Sequence, residues 1–235
     1  MSSRLGKNDA ISLRGPTMHP ALAPFTFPRG SRTVKNRCVL AAMTNKQSHD
    51  DGRLSDEEIR WLAMRAEGGF GIVTTAAANV SEQGKGWDGE FGVWSDRHLP
   101  GLTELAAQIT KYESIGLVQL FHGGMRAPES ITGVQPVSAS ENGGRGMNGT
   151  VSRALSGKEI EAIILDFGMA AARCERAGFQ GVELHGAHGY LIAQFLGAKT
   201  NRRTDKWGGS LSNRWRFLQS IIRTGREHTR DEFAV

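Results

Sequence analysis

Apolar positions along the chain follow two alternating rhythms. Short continuous apolar runs at 36–43, 71–77, 116–122 and 180–185 read as buried strands. Between and after them, apolar residues recur at three- and four-residue spacing, which gives a helix one apolar face. The sets are Ile59, Leu62, Ala63 and Ala66; Leu102, Leu105, Ala106 and Ile109; Ile160, Ile163, Ile164, Phe167, Ala170, Ala171 and Cys174; and Trp215, Leu218, Ile221 and Ile222. Ser55 with Glu58, and Ser156 with Glu159, have the spacing of capping boxes at helix starts. Ser210 or Ser212 opens the last helix, and Gly68, Gly69 and Gly178 stop earlier ones.

Strand and helix therefore alternate four times, which predicts an α/β fold with a parallel sheet. Polar residues gather just past the strands, the pattern of a (β/α)8 TIM barrel. Residues 232–235 begin a fifth strand. Residues 1–23 are polar and irregular and are expected to be a disordered lead-in to one domain over 24–235. The segment around 25–34 is expected to close the bottom of the barrel. The polar stretch 127–155 has the length of a lid or binding loop. The Gly-rich piece 142–149 lacks the Gly-Lys-Ser/Thr of a phosphate-binding loop.

Composition narrows the classes. A chain of 235 residues can bury a large core. The net charge of +5 is spread among interleaved acids and bases, so no basic stripe argues for nucleic acid. No apolar stretch suits a signal peptide or a membrane span, which points to the cytoplasm and no membrane partner. Cys38 and Cys174, on a strand and a helix, read as small buried hydrophobes of a reducing compartment.

The chemistry concentrates after the fourth strand. His185, His188 and Tyr190 are three hydrogen-bond donors within six residues, at the strand end where α/β folds collect ligand and catalytic groups. Two histidines could form a metal half-site, but no nearby Asp, Glu or Cys completes a ligand set, and Glu183 precedes them in the strand. No metal is therefore assigned; a barrel hydrolase using His122, His185 and His188 stands as an alternative. Gln119 places an amide in mid-strand, where leaving it unpaired would cost about 1–3 kcal/mol, so it requires a partner. Thr44, at a strand end, and Ala77 read alone as a turn residue and a packing residue. Arg202, Arg203 and Asp205 read as an internally paired cluster.

The run His185-Gly-Ala-His188-Gly-Tyr190-Leu, then Gln194-Phe-Leu, Asn201-Arg-Arg-Thr-Asp205, Trp207-Gly-Gly-Ser210 and Asn213-Arg-Trp-Arg-Phe217, resembles the old yellow enzyme family. These are FMN-dependent ene-reductases, also described as NADH:flavin oxidoreductases. The resemblance extends from about Pro20 to the end of the chain. It implies FMN as cofactor, NAD(P)H as reductant and a small-molecule substrate with an activated alkene. It implies that Ala42, Met43, Thr44, Ala77, Gln119 and His185 lie against the flavin. His185 and His188 would then hold the substrate oxygen, and Tyr190 would donate the proton. The run Gln119-Leu-Phe-His-Gly-Gly-Met-Arg126 departs from the family order by one extra residue before the arginine. The resemblance also implies that the later barrel strands, with the phosphate site and a basic residue facing the flavin, lie beyond this chain. A truncated form is expected to bind FMN poorly and to be insoluble or to self-associate. A homo-oligomer, and a non-catalytic remnant that acts only by association, stay open.

Overall fold

A short hairpin comes first, with β1 (Phe25–Thr26) pairing antiparallel to β2 (Thr33–Val34). The computed structural model describes residues 18–28, 32–143 and 150–235. Most of the expected lead-in and most of the Gly-rich piece lie outside the described residues. Then come β3 (Val39–Leu40), α1 (Asp56–Glu67), β4 (Ile72–Asn79), α2 (Leu99–Thr110) and β5 (Ile115–Phe121). An excursion of α3 (Glu129–Thr132), β6 (Val137–Ser138) and β7 (Arg153–Ala154) leads to α4 (Gly157–Arg176). The order closes with β8 (Gly181–Leu184), α5 (Leu191–Leu196) and α6 (Leu211–Glu227).

Four strands form one parallel sheet in the order β3-β4-β5-β8, with Leu40 opposite Val73 and Val118 opposite Val182. Residue Ala234 bridges Gly181 in parallel, where a fifth strand was expected to begin. One face of the sheet is the core. Val73, Val118, Leu120 and Val182 bury there against Leu62, Leu105, Ile109, Ile163 and Phe167 of the covering helices. On the other face Leu117 and Gln119 are half-buried and Glu183 is exposed. Strand and helix alternate around the sheet as in a (β/α)8 barrel.

Local chemistry explains the helix boundaries. At α4 the Ser156 hydroxyl accepts from the Glu159 N–H (3.3 Å), and the Glu159 carboxylate accepts from the Ser156 N–H (2.8 Å). Only half of that box forms at α1. Ser55 accepts from the Glu58 N–H (3.1 Å), but the Glu58 carboxylate takes its hydrogen bond from the Ser48 hydroxyl in the loop after β3. Ser210 caps α6 by accepting from the Asn213 N–H (3.2 Å).

Four expectations are corrected. The first strand of the sheet is paired to β4 only over Val39–Leu40, and Val39 is 52% exposed, so the run 36–43 is not buried throughout as expected. The buried line of α6 runs through Phe217, Ile221 and Gly225. Phe217 stacks on Phe195 at 4.1 Å, and Trp215 turns outward. Cys38 is half-buried, and only Cys174 is a core residue. Finally, the described parts of 127–155 are not a free lid: Val137, Ser138, Ala139, Ser152 and Leu155 are buried. Arg203 anchors them by donating to the Ala139 and Leu155 carbonyls (2.9 and 2.6 Å) while pairing with Asp205 (2.6 Å), the internal role expected of that cluster.

The hairpin sits at the N-terminal end of the strands. Phe27 and Arg32 line a cavity of about 880 Å³ with Ile72, Ile115, Leu117 and Phe233. The histidines lie at the opposite end.

Candidate active site

The rim at the C-terminal ends of the strands is built by loops that bond to one another in sequence. The Ser48 N–H donates to the Gly89 carbonyl (3.0 Å), linking the loops after β3 and β4. The Gly123 N–H donates to the Gly84 carbonyl (2.8 Å), linking those after β4 and β5. The Leu191 N–H donates to the His122 carbonyl (3.0 Å), linking those after β5 and β8. Buried Gln194 strengthens the last link. Its Nε2 donates to the carbonyls of Gly189 (2.7 Å) and Gly123 (3.2 Å), and its Oε1 accepts from the Met125 N–H (3.1 Å).

His185 follows directly from β8, and its N–H donates to the Leu120 carbonyl (3.0 Å). The chain then turns sharply. His188 has φ +54° and Gly189 φ +70°, a left-handed pair in which the histidine is the strained member. The turn folds His188 back on His185, with His188 Nδ1 3.2 Å from His185 Nε2. The Ala187 N–H donates to His185 Nδ1 (3.3 Å). That nitrogen is therefore an acceptor, so in the neutral ring Nε2 carries the proton and points it at His188 Nδ1. With its Nδ1 accepting, His188 has Nε2 as its remaining donor. Burial, followed by the nearness of His188, lowers the His185 pKa to about 4, so this ring is neutral near pH 7.

Tyr190 stands at the N-cap of α5. Its ring lies 4.8 Å from both Phe121 and His185, centroid to centroid, edge-to-face in each case. Trp87, from the loop after β4, covers Phe121 at 5.2 Å and reaches to 6.5 Å from Tyr190. A Cβ at Gly86 would lie 2.9 Å from the Phe121 ring, so glycine there permits the close approach of the Trp87 loop. Glu90 secures that loop from beneath. It is buried, it accepts from the Gly86 N–H (2.8 Å), and burial holds its carboxyl well above the usual range.

Ala77, Gln119 and Glu183 occupy one row across β4, β5 and β8. The partner that Gln119 required is Glu183, whose carboxylate accepts from Nε2 at 2.5 Å. Gln119 and Tyr190 thus belong to the same end of the sheet. Ala42 is half-buried beyond β3, while Met43 and Thr44 are exposed. Among the described residues no group of three His, Cys, Asp or Glu is placed to hold an ion. His122 is fully buried, and its Nδ1 accepts from the Gly124 N–H (3.0 Å).

Residues 22–235 match the NADH:flavin oxidoreductase / NADH oxidase family. The chain belongs to that family. A probable NADH-dependent flavin oxidoreductase, YqiG, of Bacillus subtilis is 39% identical over 228 residues, covering 94% of this chain and 59% of that protein. The old yellow enzyme homologue of Zymomonas mobilis superposes with a TM-score of 0.86 at 29% identity, over 92% of this chain and 62% of that one. Morphinone reductase in complex with tetrahydroNAD gives 0.83 at 30% identity, over 92% and 63%. The fold is thus that of the old yellow enzyme TIM barrels, and the chain spans about three fifths of the length of these relatives. FMN and NAD(P)H are the cofactors of the NADH:flavin oxidoreductase family.

Sequence reasoning did not assign Trp87, Glu90, Phe121 or Gln194 to the rim of this flavin oxidoreductase fold. The cluster of Gly84, Gly86 and Gly89 around Trp87 was the available signal, since glycines permit close backbone approach.

Proposed function

We propose that the protein passes hydride from NAD(P)H, by way of FMN, to an activated alkene of the enone type. The donor set on the rim after β8 supports this reading most directly: two imidazoles and a phenol stand within 6.4 Å of one another, ring to ring. FMN, when bound, supplies the hydride chemistry that no side chain of this protein can perform. The residues proposed to hold it are Ala42, Met43, Thr44, Ala77, Gln119 and His185. The inner row suits a flat heterocycle, since the methyl of Ala77 stands beside the Gln119 amide, which offers both a donor and an acceptor. Binding would make Gln119 exchange or share Glu183 as its partner.

His185 and His188 hold the carbonyl oxygen of the substrate. In the free protein the Nε2 proton of His185 is directed to His188, so His188 Nε2–H is the first donor available. A small rotation of His188 frees the second. Two donors on one oxygen stabilise the negative charge that grows there. Tyr190, fixed between Phe121 and His185, gives its phenolic proton to the carbon next to the carbonyl. Trp87 and Phe121 keep water from the reacting carbons.

The test is anaerobic. FMN in excess is mixed with the purified chain, NADH or NADPH is added, and the flavin absorbance is followed; 2-cyclohexenone is then introduced. Bleaching that depends on the protein, reversed by the enone, is expected. If the protein leaves both rates at those of free FMN, the proposal fails.

A further inference from the structure

The register of β4 on β5 slips between Thr74 and Ala77, so that Thr74 stands opposite Leu117 and Ala77 opposite Gln119. A bulge of this kind re-aims the side chains beyond it. Buried Thr75 fills the gap. Its hydroxyl accepts from the Gln119 N–H (3.3 Å) and donates to the Ala76 carbonyl (2.7 Å). On the other side of Gln119, the pairing with Glu183 of β8 is in regular parallel register. The backbone of Gln119 is therefore held from both neighbouring strands. Its side chain has one partner among the described residues, the Glu183 carboxylate, which accepts from Nε2 at 2.5 Å.

A carboxylate accepts hydrogen bonds and donates none. The amide must therefore turn its NH2 toward Glu183, because the reverse orientation would set a carbonyl oxygen against a carboxylate oxygen. A bond to a charged acceptor is also the stronger kind. Gln119 Oε1 accepts no hydrogen bond among the described residues and is left as the acceptor of the row. Glu183 is exposed on the sheet face away from the core, so packing does not account for its presence there. An amide free to turn over can meet a donor or an acceptor. An amide held from behind cannot, and a ligand without the matching N–H would leave its carbonyl unpaired.

We propose that Glu183 is a positioning residue, which holds the Gln119 amide with its carbonyl toward the ligand so that this row accepts a ring N–H. This rests on the FMN assignment proposed above and deepens it, since the pyrimidine edge of a flavin carries one N–H between two carbonyls. Glu183 is then shared with the ligand on binding and is not exchanged for it.

The probes are FMN and 3-methyl-FMN, in which a methyl group replaces the hydrogen of that ring N–H. Each is titrated into the full chain, and quenching of flavin fluorescence gives its dissociation constant. FMN is expected to bind about tenfold more tightly than the methylated form, the upper end of the net worth of one hydrogen bond. Glu183→Gln and Glu183→Ala should each reduce that ratio to under about threefold, because the amide is then free to turn. A merely loosened fold would weaken both probes alike and leave the ratio unchanged. A ratio that survives both substitutions overturns the proposal. Equal binding of the two probes by the unaltered chain overturns it whether or not a variant folds. So does a nitrogen-edited NMR spectrum of the unliganded chain in which neither Gln119 side-chain amide proton lies downfield of those of the other glutamines. Flavin turnover by a chain that binds both probes equally would overturn this inference alone. Failure of either probe to bind at all would remove the cofactor assignment together with it. A ratio that depends on Glu183, in a chain without turnover, would support the inference while removing the proposed reaction.

Discussion

The two flanks of the strand-end rim are built differently. Beyond β8, every turn is held by contacts within the chain: His185 on Leu120, Leu191 on His122, and Gln194 on three backbone groups. Beyond β3, the sheet has only two paired residues, Met43 is 50% exposed, and Thr44 is exposed. The groups assigned to substrate chemistry therefore take their geometry from packing, as a preorganised site requires. The groups assigned to the cofactor on the β3 side depend much less on the rest of the fold.

The largest expected effect tests the β8 flank. Tyr190→Phe should slow reoxidation of the flavin by an enone by about 10²–10⁴-fold, the usual worth of a placed general acid, and spare reduction by NAD(P)H. Equal loss in both steps would remove Tyr190 as proton donor. The next effect concerns the contacts themselves. Gln194→Leu would leave the Gly189 and Gly123 carbonyls and the Met125 N–H without partners in a buried setting. Unfolding free energy should fall by on the order of 3–4 kcal/mol, read by urea titration. A loss under about 1 kcal/mol would mean that the β8 rim is no better secured than the β3 rim.

Acid should erode both flanks. His185 and His122 on the β8 side, and His98 beside Gly52 on the β3 side, all have pKa values lowered to about 4 from 6.5, in each case chiefly by burial. The unfolded chain binds these protons first, so stability is complete above about pH 6.5 and is lost as pH falls toward 4. For fully buried His122 the span corresponds to about 3 kcal/mol as an upper value. Buried Glu58 and Glu90 act in the opposite direction, because their raised pKa values favour the folded state toward acid. The histidine share is therefore read from His122→Asn. Its urea midpoint should fall less between pH 6.5 and 4 than that of the unaltered chain, and an identical pH profile would refute the assignment.

Much of this contrast could be read from the residues. The burial of α4, from Ile160 to Cys174, follows its spacing position by position, because a long helix repeats its phase often enough to define a face. The donors His185, His188 and Tyr190 are legible because one turn carries all three. The run at 36–43 misled because apolar composition does not fix how many of its residues pair or bury: only Val39–Leu40 are paired. Trp215 misled because its helix packs along a line set by close contact, with Thr224 against Gly168. Trp87, Phe121 and Gln194 were not legible as site residues. Their roles come from loops after different strands meeting at one rim, and local spacing does not record that.

The smallest effect sharpens the comparison from the β3 side. The Thr44 side chain is exposed and makes no hydrogen bond among the described residues. Thr44→Val should therefore shift the unfolding free energy by less than about 0.5 kcal/mol. If its hydroxyl binds the flavin, the same change should weaken FMN by about three- to tenfold, the net worth of one hydrogen bond. Fluorescence quenching of FMN measures the second quantity and urea titration the first, on one preparation. A stability loss above about 1 kcal/mol would show that Thr44 belongs to the fold after all. The two rims would then differ in degree, and the separation of a preorganised substrate side from a loosely held cofactor side would have to be withdrawn.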